Sequence, residues 1–269
     1  MSDTEQVHDE VQDEVHDEEE EETPPEEEEM PGVKAAGLVR GVPGRHIQAA
    51  GLVDLRGVPP EEVAKIEGIQ AAGAVLGDEA NRAALGQIPI QAAGGVAIAR
   101  PGYRVIIAPD LEISKAMLEG MPPGQKLMFA GIVFFRLDVP ASLVAEKLEG
   151  VDVLGILIAT EGVYGALMAS AEITGHTILL PDGVGPVVRS LGQNTLTQEY
   201  LSRLADRTTY INIGQTLVSD EVPEDLLDRK ILTYHNVGQT VAPTPLLALL
   251  KSRCPTNLGQ FAESEGEEA

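Results

Sequence analysis

A five-residue motif that ends in glycine recurs along the chain and constrains the fold more than any other feature. Its copies end at Gly37, Gly51, Gly73, Gly94, Gly131, Gly155, Gly214 and Gly238. The intervals between these anchor glycines are 14, 22, 21, 37, 24, 59 and 24 residues, and we expect the longest interval to hold a degenerate copy near residues 178–183. A period of 20-odd residues predicts a repeat architecture.

Hydrophobicity alternates within each copy. The positions four and two before the anchor glycine, and two after it, carry mostly Val, Ile, Leu or Ala. Alternate residues of a strand share a face, so these positions predict one short strand per unit with a common inward side. Spacers 59–66, 139–148 and 222–230 open near a proline and predict short helices. The expected fold is an α/β repeat solenoid, with one short parallel strand per 20–25 residues and short helices or turns between the strands.

Two stretches interrupt the period. Residues 101–109 predict an additional strand before a helix over 111–121, and residues 182–207 enlarge one spacer and predict a helix over 197–206. Enlarged spacers of a repeat protein lie at one edge and often carry specificity, whereas simple drift in loop length is the alternative. The side chains chosen there as a candidate insertion site are Tyr103, Arg104, Arg189, Tyr200 and Arg203.

Charge divides the chain into an acidic tail and a nearly neutral body. The sequence has 43 acidic and 19 basic residues, a formal charge of -24, and residues 1–31 hold 16 of the acids and no Lys or Arg. Such a segment buries too little apolar surface to offset its ordering entropy. We therefore expect a disordered tail over 1–32, a repeat domain over 33–261 and an acidic C-terminal tail over 262–269. The N-terminal tail either keeps the body soluble or binds a basic partner.

The C-terminal copies resemble the leucine-rich repeat family. Residues 211–217, followed by Val222, Pro223 and Leu226, are similar to the strand, turn and convex-side segment of that family. A divergent repeat of bacterial type would cover residues 33–261. The resemblance implies a curved protein-binding scaffold and brings no catalytic residues.

A polar column interrupts the inward side near the C-terminus. Asn212, Asn236 and Asn257 occupy equivalent positions in three copies. Buried amides require hydrogen-bond partners, and stacked amides supply them to one another. The pattern predicts a structural asparagine ladder, with a polar ligand pocket as the alternative.

The outward side of the predicted sheet is apolar where a one-sided sheet would be polar. The residues that form this outward stripe are Met128, Ala130, Ile132, Phe134, Leu154, Ile156 and Ile158. Large exposed apolar patches mark interfaces. Either helices cover the stripe, as in a doubly wound sheet, or the stripe is an interaction surface covered by another chain.

Motifs for catalysis are missing from the sequence. His46, His176 and His235 lie in different units, and the single cysteine, Cys254, excludes a multi-cysteine metal cage. The sequence contains no nucleophile elbow, Walker loop or dinucleotide fingerprint. We expect no cofactor, no bound metal and no enzymatic activity.

The composition also argues against nucleic acid and membranes as binding partners. The body has no basic cluster for nucleic acid, and no apolar run approaches the ~18 residues of a membrane span. The acidic N-terminus lacks signal-peptide features, so we expect a cytoplasmic protein. The expected function is a non-enzymatic protein-interaction or self-assembling scaffold. The alternative is a compact doubly wound α/β domain that binds or converts a small molecule.

Overall fold

Parallel strands joined by short helices make up the described part of the chain. This computed structural model describes residues 33–34, 38–41, 44–48, 50–70, 72–91 and 94–264. The acidic segment 1–32 and the last five residues lie outside that part. The predicted mixed α/β class with parallel sheets and short helices is confirmed.

The strands form three groups along the chain. The N-terminal group is β1 (Val33–Lys34), β2 (Leu38–Arg40), β3 (His46–Gln48), β4 (Ala50–Asp54), β5 (Gly68–Ile69), β6 (Ala72–Gly77) and β7 (Val96–Ile98). The central sheet is β8 (Arg104–Ile113), β9 (Gln125–Phe135), β10 (Leu148–Thr160) and β11 (Ala171–Leu180). The C-terminal sheet is β12 (Val187–Leu196), β13 (Thr208–Val218), β14 (Ile231–Ala242), β15 (Thr256–Asn257) and β16 (Gln260–Glu263).

Pairing follows chain order within each sheet. The N-terminal group contains two sheets. The sheet β1-β3-β5 is formed by residues before the anchor glycines, and the sheet β2-β4-β6-β7 is formed mainly by residues after them. The central order is β8-β9-β10-β11, and the C-terminal order is β12-β13-β14, with both β15 and β16 on the edge of β14. All of these pairings are parallel, and none of the described sheets closes on itself.

Helices connect most of the successive strands. They are α1 (Pro60–Val63), α2 (Arg82–Leu85), α3 (Lys115–Glu119), α4 (Ala141–Lys147), α5 (Glu161–Leu167), α6 (Gln198–Arg203), α7 (Glu224–Lys230) and α8 (Thr244–Ser252), with a 3₁₀ turn over Glu79–Asn81 before α2. The three predicted spacer helices correspond to α1, α4 and α7. In the described residues no helix has the length and apolar character needed to cross a membrane.

The anchor glycines lie side by side in the sheets. Gly131, Gly155 and Gly175 are register partners in the central sheet, and Gly192, Gly214 and Gly238 are partners in the C-terminal sheet. The long interval therefore holds two units, anchored at Gly175 and Gly192, where the sequence predicted one near 178–183. Those units were hidden because their inward positions include Thr177 and Ser190 instead of aliphatic residues.

The strands of the central and C-terminal sheets are longer than predicted. They continue through the anchor glycine and reach 13 residues in β10. Gly155 has a φ of +134°, and a Cβ there would overlap the carbonyl oxygen of Gly131. Glycine therefore lets two half-strands join at close backbone approach without breaking the ladder.

The additional strand predicted over 101–109 is β8, which ends later than expected. The following helix starts at Lys115, not residue 111, because Ser114 caps it and accepts a hydrogen bond from the Met117 amide at 3.2 Å. At the C-terminus, β16 extends to Glu263 and crosses the predicted domain boundary at residue 261.

The inward face of each sheet packs against the helices. In the central sheet Phe129, Val133 and Leu157 contact helix residues such as Leu118 and Val144 in one buried cluster. In the C-terminal sheet the buried residues Tyr210 and Tyr234 stack with ring centroids 5.7 Å apart beneath α7 and α8. The apolar clusters on the opposite face contain no residue of these helices.

Candidate functional site

The outward faces of the sheets meet one another in two junctions. We define the leading face of a sheet as the outward residues that stand one and three positions before an anchor glycine. The trailing face is formed by the outward residues one and three positions after that glycine. At the first junction Leu52, Ala74 and Leu76 of the N-terminal trailing face pack against the central leading face. The central residues in that cluster include Met128 and Leu154, which are 1% and 0% exposed.

The second junction repeats this arrangement one sheet further along the chain. Phe134, Ile158 and Ile178 of the central trailing face pack against Ile211 of the C-terminal leading face. Neighbouring residues Ile132, Ile156, Ile213 and Val237 are half-buried in the same cluster. Each junction therefore joins a trailing face to a leading face.

The outward stripe lies inside these two junctions. Met128, Ala130, Phe134, Leu154 and Ile158 are between 0% and 8% exposed. Ile132 and Ile156 are half-buried. The sequence analysis expected helices or another chain to cover this surface, but other sheets of the same chain cover it. The stripe is apolar because both of its halves are sheet–sheet contacts.

Ion pairs cross both junctions. At the first, Arg100 donates to the buried carboxylate of Asp152, with 2.7 Å between Nε and Oδ2, and lies 4.3 Å from the ring centroid of Tyr103. At the second, Arg189 pairs with Asp110 and Glu112 and lies 4.6 Å from the Phe134 ring. The paired residues are 52 to 79 positions apart in sequence, so residue patterns gave no signal for them.

The five residues of the candidate insertion site have separate surroundings. Tyr103 and Arg189 belong to the two junctions just described, and Arg104 is exposed at the start of β8. Tyr200 packs at the margin of the C-terminal core. Arg203 pairs with Glu199 along α6, with both side chains more than 70% exposed. Their contacts do not form one common site.

The asparagine column forms a hydrogen-bonded ladder. Asn212 Nδ2 donates to Asn236 Oδ1, and Asn236 Nδ2 donates to Asn257 Oδ1, each at 2.9 Å. Thr240 also donates to Asn236 Oδ1 at 3.0 Å and lies 2.7 Å from the hydroxyl of Tyr234. Because Asn212 and Asn236 are fully buried and bond each other, the geometry favours a structural role over a ligand pocket.

Burial also perturbs two titratable groups of β14. The pKa of Tyr234 is raised to about 12, mainly by burial. His235 is 2% exposed, and burial lowers its pKa to about 4. Its Nδ1 atom has no hydrogen-bond partner in the described residues. This histidine is on the leading face of the C-terminal sheet. It is the register partner of Ile211, which belongs to the second junction.

The trailing face of the C-terminal sheet contributes no residue to the apolar cluster of either junction. Its first column, one residue after the glycines, is composed entirely of glutamine: Gln193, Gln215, Gln239 and Gln260. Gln215 donates to Gln239 at 2.9 Å, and all four side chains are exposed or half-exposed. The second column contains Thr195, Leu217, Val241 and Ala262. None of these eight residues is charged.

The leading face of the N-terminal group has a matching column. Three residues before the anchor glycines stand Lys34, Gln48, Gln70 and Gln91. Gln70 and Gln91 are exposed, and Gln48 is half-buried. The two ends of the series of sheets therefore both present glutamine. In the sequence the apolar stripe is the stronger signal of the outward side, and it hides these glutamines.

Chemistry-bearing residues are dispersed. Among the described residues no group of three or more His, Cys, Asp and Glu side chains is arranged to hold a metal ion. A surface depression beside the starts of β13 and β14 is lined by charged residues, including Asp228 and Arg253. These two pair with each other, and Arg253 also donates to the Asp228 carbonyl oxygen at 2.6 Å. Asp206 on the same lining pairs with Lys230, so both carboxylates of the depression have a partner within the chain.

Comparison of the chain with protein-family models, with curated proteins and with solved structures found no match. The resemblance to leucine-rich repeats therefore stays a prediction.

Proposed function

We propose that the protein is a non-enzymatic scaffold that assembles with copies of itself through the open outward faces of its sheets. One observation carries the proposal: the chain uses the same face-to-face contact twice, and the trailing face of its C-terminal sheet has no neighbour among the described residues. A second copy would supply the missing neighbour.

The chemistry of this face suits association. Exposed sheet faces that must stay unpaired carry charged side chains, which oppose contact with another sheet. The eight outward residues of this face carry no charge, although charged residues make up 23% of the chain. Leu217 and Val241 on this face are half-exposed and provide apolar area for a contact.

The same proposal treats the units within each sheet as a repeat array, a solenoid segment in which each unit rests on the one before it. The in-order parallel pairing and the alignment of the anchor glycines support this. In such an array stability is a sum over neighbouring units, so removal of one whole unit is tolerated.

A deletion tests the array. Removing residues 47–68 takes out 22 residues, the interval between Gly51 and Gly73, and places Ile69 where Ile47 was. We expect a folded protein with one cooperative unfolding transition. Removing only residues 47–57 breaks the register and should abolish that transition. Loss of folding after the whole-unit deletion, measured by circular dichroism during urea unfolding, would argue against the array.

Sedimentation velocity over a micromolar concentration series tests self-assembly. We expect species larger than the 28.5 kDa monomer, with a proportion that rises with concentration. Gln215→Lys combined with Gln239→Lys places like charges on the open face and should leave only monomer. The control is Gln87→Lys combined with Gln198→Lys, which makes the same charge change elsewhere. A wild-type chain that stays monomeric throughout the series would refute the proposal.

A further inference from the structure

We infer that the copies join head to tail, with the trailing face of one C-terminal sheet against the leading face of the next copy's N-terminal group. This inference rests on the proposed self-assembly and specifies its partner surface. The partner is a second copy of this chain, and its contact surface includes the column Gln48, Gln70 and Gln91.

The polarity of the internal junctions is the first argument. At both junctions a trailing face packs on a leading face: Leu76 meets Leu154 at the first, and Ile158 meets Ile211 at the second. A series of three stacked groups with this polarity leaves one leading face at the start and one trailing face at the end. Joining those two faces continues the existing series, whereas joining two trailing faces uses a contact that occurs at neither junction.

The glutamine columns are the second argument. Seven of the twelve glutamines in the chain stand in the two end columns, whereas the equivalent positions of the internal junctions include Met128, Ile132, Ile156 and Ile211. A glutamine side chain both donates and accepts hydrogen bonds, so the glutamines of two facing columns complement each other. Gln215 and Gln239 already bond to each other, which orders part of one column before association.

The change from aliphatic to amide residues at the ends explains why the internal and terminal contacts differ. An exposed isoleucine stripe would promote uncontrolled aggregation, whereas an amide face remains hydrated in the free monomer. More polar interfaces are typical of reversible association. Because head and tail are different surfaces, the contact is heterologous and generates a ring or an open filament instead of a closed dimer.

A two-variant mixing experiment tests the arrangement with the full chain. The head variant is Gln70→Lys with Gln91→Lys, and the tail variant is Gln215→Lys with Gln239→Lys. Each variant has one blocked and one intact face, so each alone should be monomeric. An equimolar mixture should form a complex of twice the monomer mass and no larger species, since the intact tail of one variant meets the intact head of the other. Circular dichroism establishes that both variants are folded.

The outcomes separate this inference from the proposed function. If the wild-type chain assembles and the head variant still forms dimers while the tail variant does not, copies join tail to tail and the inference is wrong. If both variants assemble like the wild type, the interface lies elsewhere and the inference is also wrong. A monomeric wild-type chain would refute the proposed function itself.

Discussion

At the scale of single residues, most anchor glycines stand where an added Cβ would overlap the backbone of the neighbouring strand, and Gly192 is an exception. Gly155 lies at φ +134°, and a Cβ there would be 2.2 Å from the carbonyl oxygen of Gly131 on the neighbouring strand. We expect Gly155→Ala to lower the free energy of unfolding by about 3 kcal/mol or more, from backbone strain and overlap together. Urea unfolding followed by circular dichroism measures the change.

Gly165 provides the matched control for that substitution. It is exposed in α5, and an added Cβ there meets nothing within 4 Å. Gly165→Ala should raise the free energy of unfolding by up to about 1 kcal/mol, because alanine is the better helix former. Equal effects of the two substitutions would show that the anchor glycine is not required by close backbone approach.

His235 gives the fold a dependence on pH. Its pKa is lowered from 6.5 to about 4, because burial disfavours the charged form. Between those two pH values the unfolded chain binds the proton more readily than the folded chain, so the free energy of unfolding falls as pH falls. Below pH 4 both states are protonated and this contribution stops changing. We expect a loss of about 3 kcal/mol from this residue, measured by urea unfolding across the range.

The substitution His235→Leu isolates this contribution from the titration of carboxylates. The variant should lose less stability than the wild type between pH 6.5 and 4, because leucine has no proton to bind. His176→Gln changes an exposed histidine on β11 and should leave the wild-type profile unaltered. An identical pH profile for wild type and His235→Leu would contradict the assignment.

At the scale of the elements, the junctions between sheets depend on a few long-range ion pairs. Arg189 is 9% exposed and pairs with Asp110 and Glu112 while its guanidinium lies over the Phe134 ring. Arg189→Met keeps most of the apolar stem but leaves two carboxylates without their partner. We expect a loss of about 1–3 kcal/mol in the free energy of unfolding, reduced from the fully buried case because both carboxylates retain solvent contact.

Arg203 is the comparison for Arg189. It also pairs with a glutamate, but its side chain is 76% exposed. Arg203→Met should change the free energy of unfolding by no more than about 0.5 kcal/mol. If the two arginine substitutions had equal effects in chemical denaturation, the ion pairs at the second junction would not hold the sheets together.

Local patterns predicted the elements better than their assembly. Residues 210–216 and 234–240 share a period of two and nearly identical letters, which is why β13 and β14 were recognised. Alternation also identified Ile132 and Ile156 as outward, but it carries no information on what covers them. The ladder was predictable because Asn212 and Asn236 are equivalent by simple alignment. The ion-pair partners of Arg189 could not be predicted from the sequence, since Asp110 and Glu112 precede it by 79 and 77 residues.

At the scale of the whole molecule, the sheets differ in what covers each of their faces. Helices cover the inward face of the central sheet, and sheets of the same chain cover its outward face. The C-terminal sheet has helices inward and a junction on its leading face, so only its trailing face is without cover in the described residues. In the proposed assembly, the number of such free faces, and not the size of any apolar patch, sets how many copies one chain contacts.

The net charge of the whole chain opposes this assembly. Residues 1–31 contribute 16 of the 43 acidic residues and precede β1, a strand of the N-terminal group. Removing them should shift self-association to lower concentration, because like charges repel when copies approach. The shift should shrink at high salt, where the Debye length falls. Removing residues 265–269 takes away only three acids and should have a smaller effect. If sedimentation instead shows that loss of residues 1–31 weakens association, the acidic segment contributes to the contact and does not restrain it.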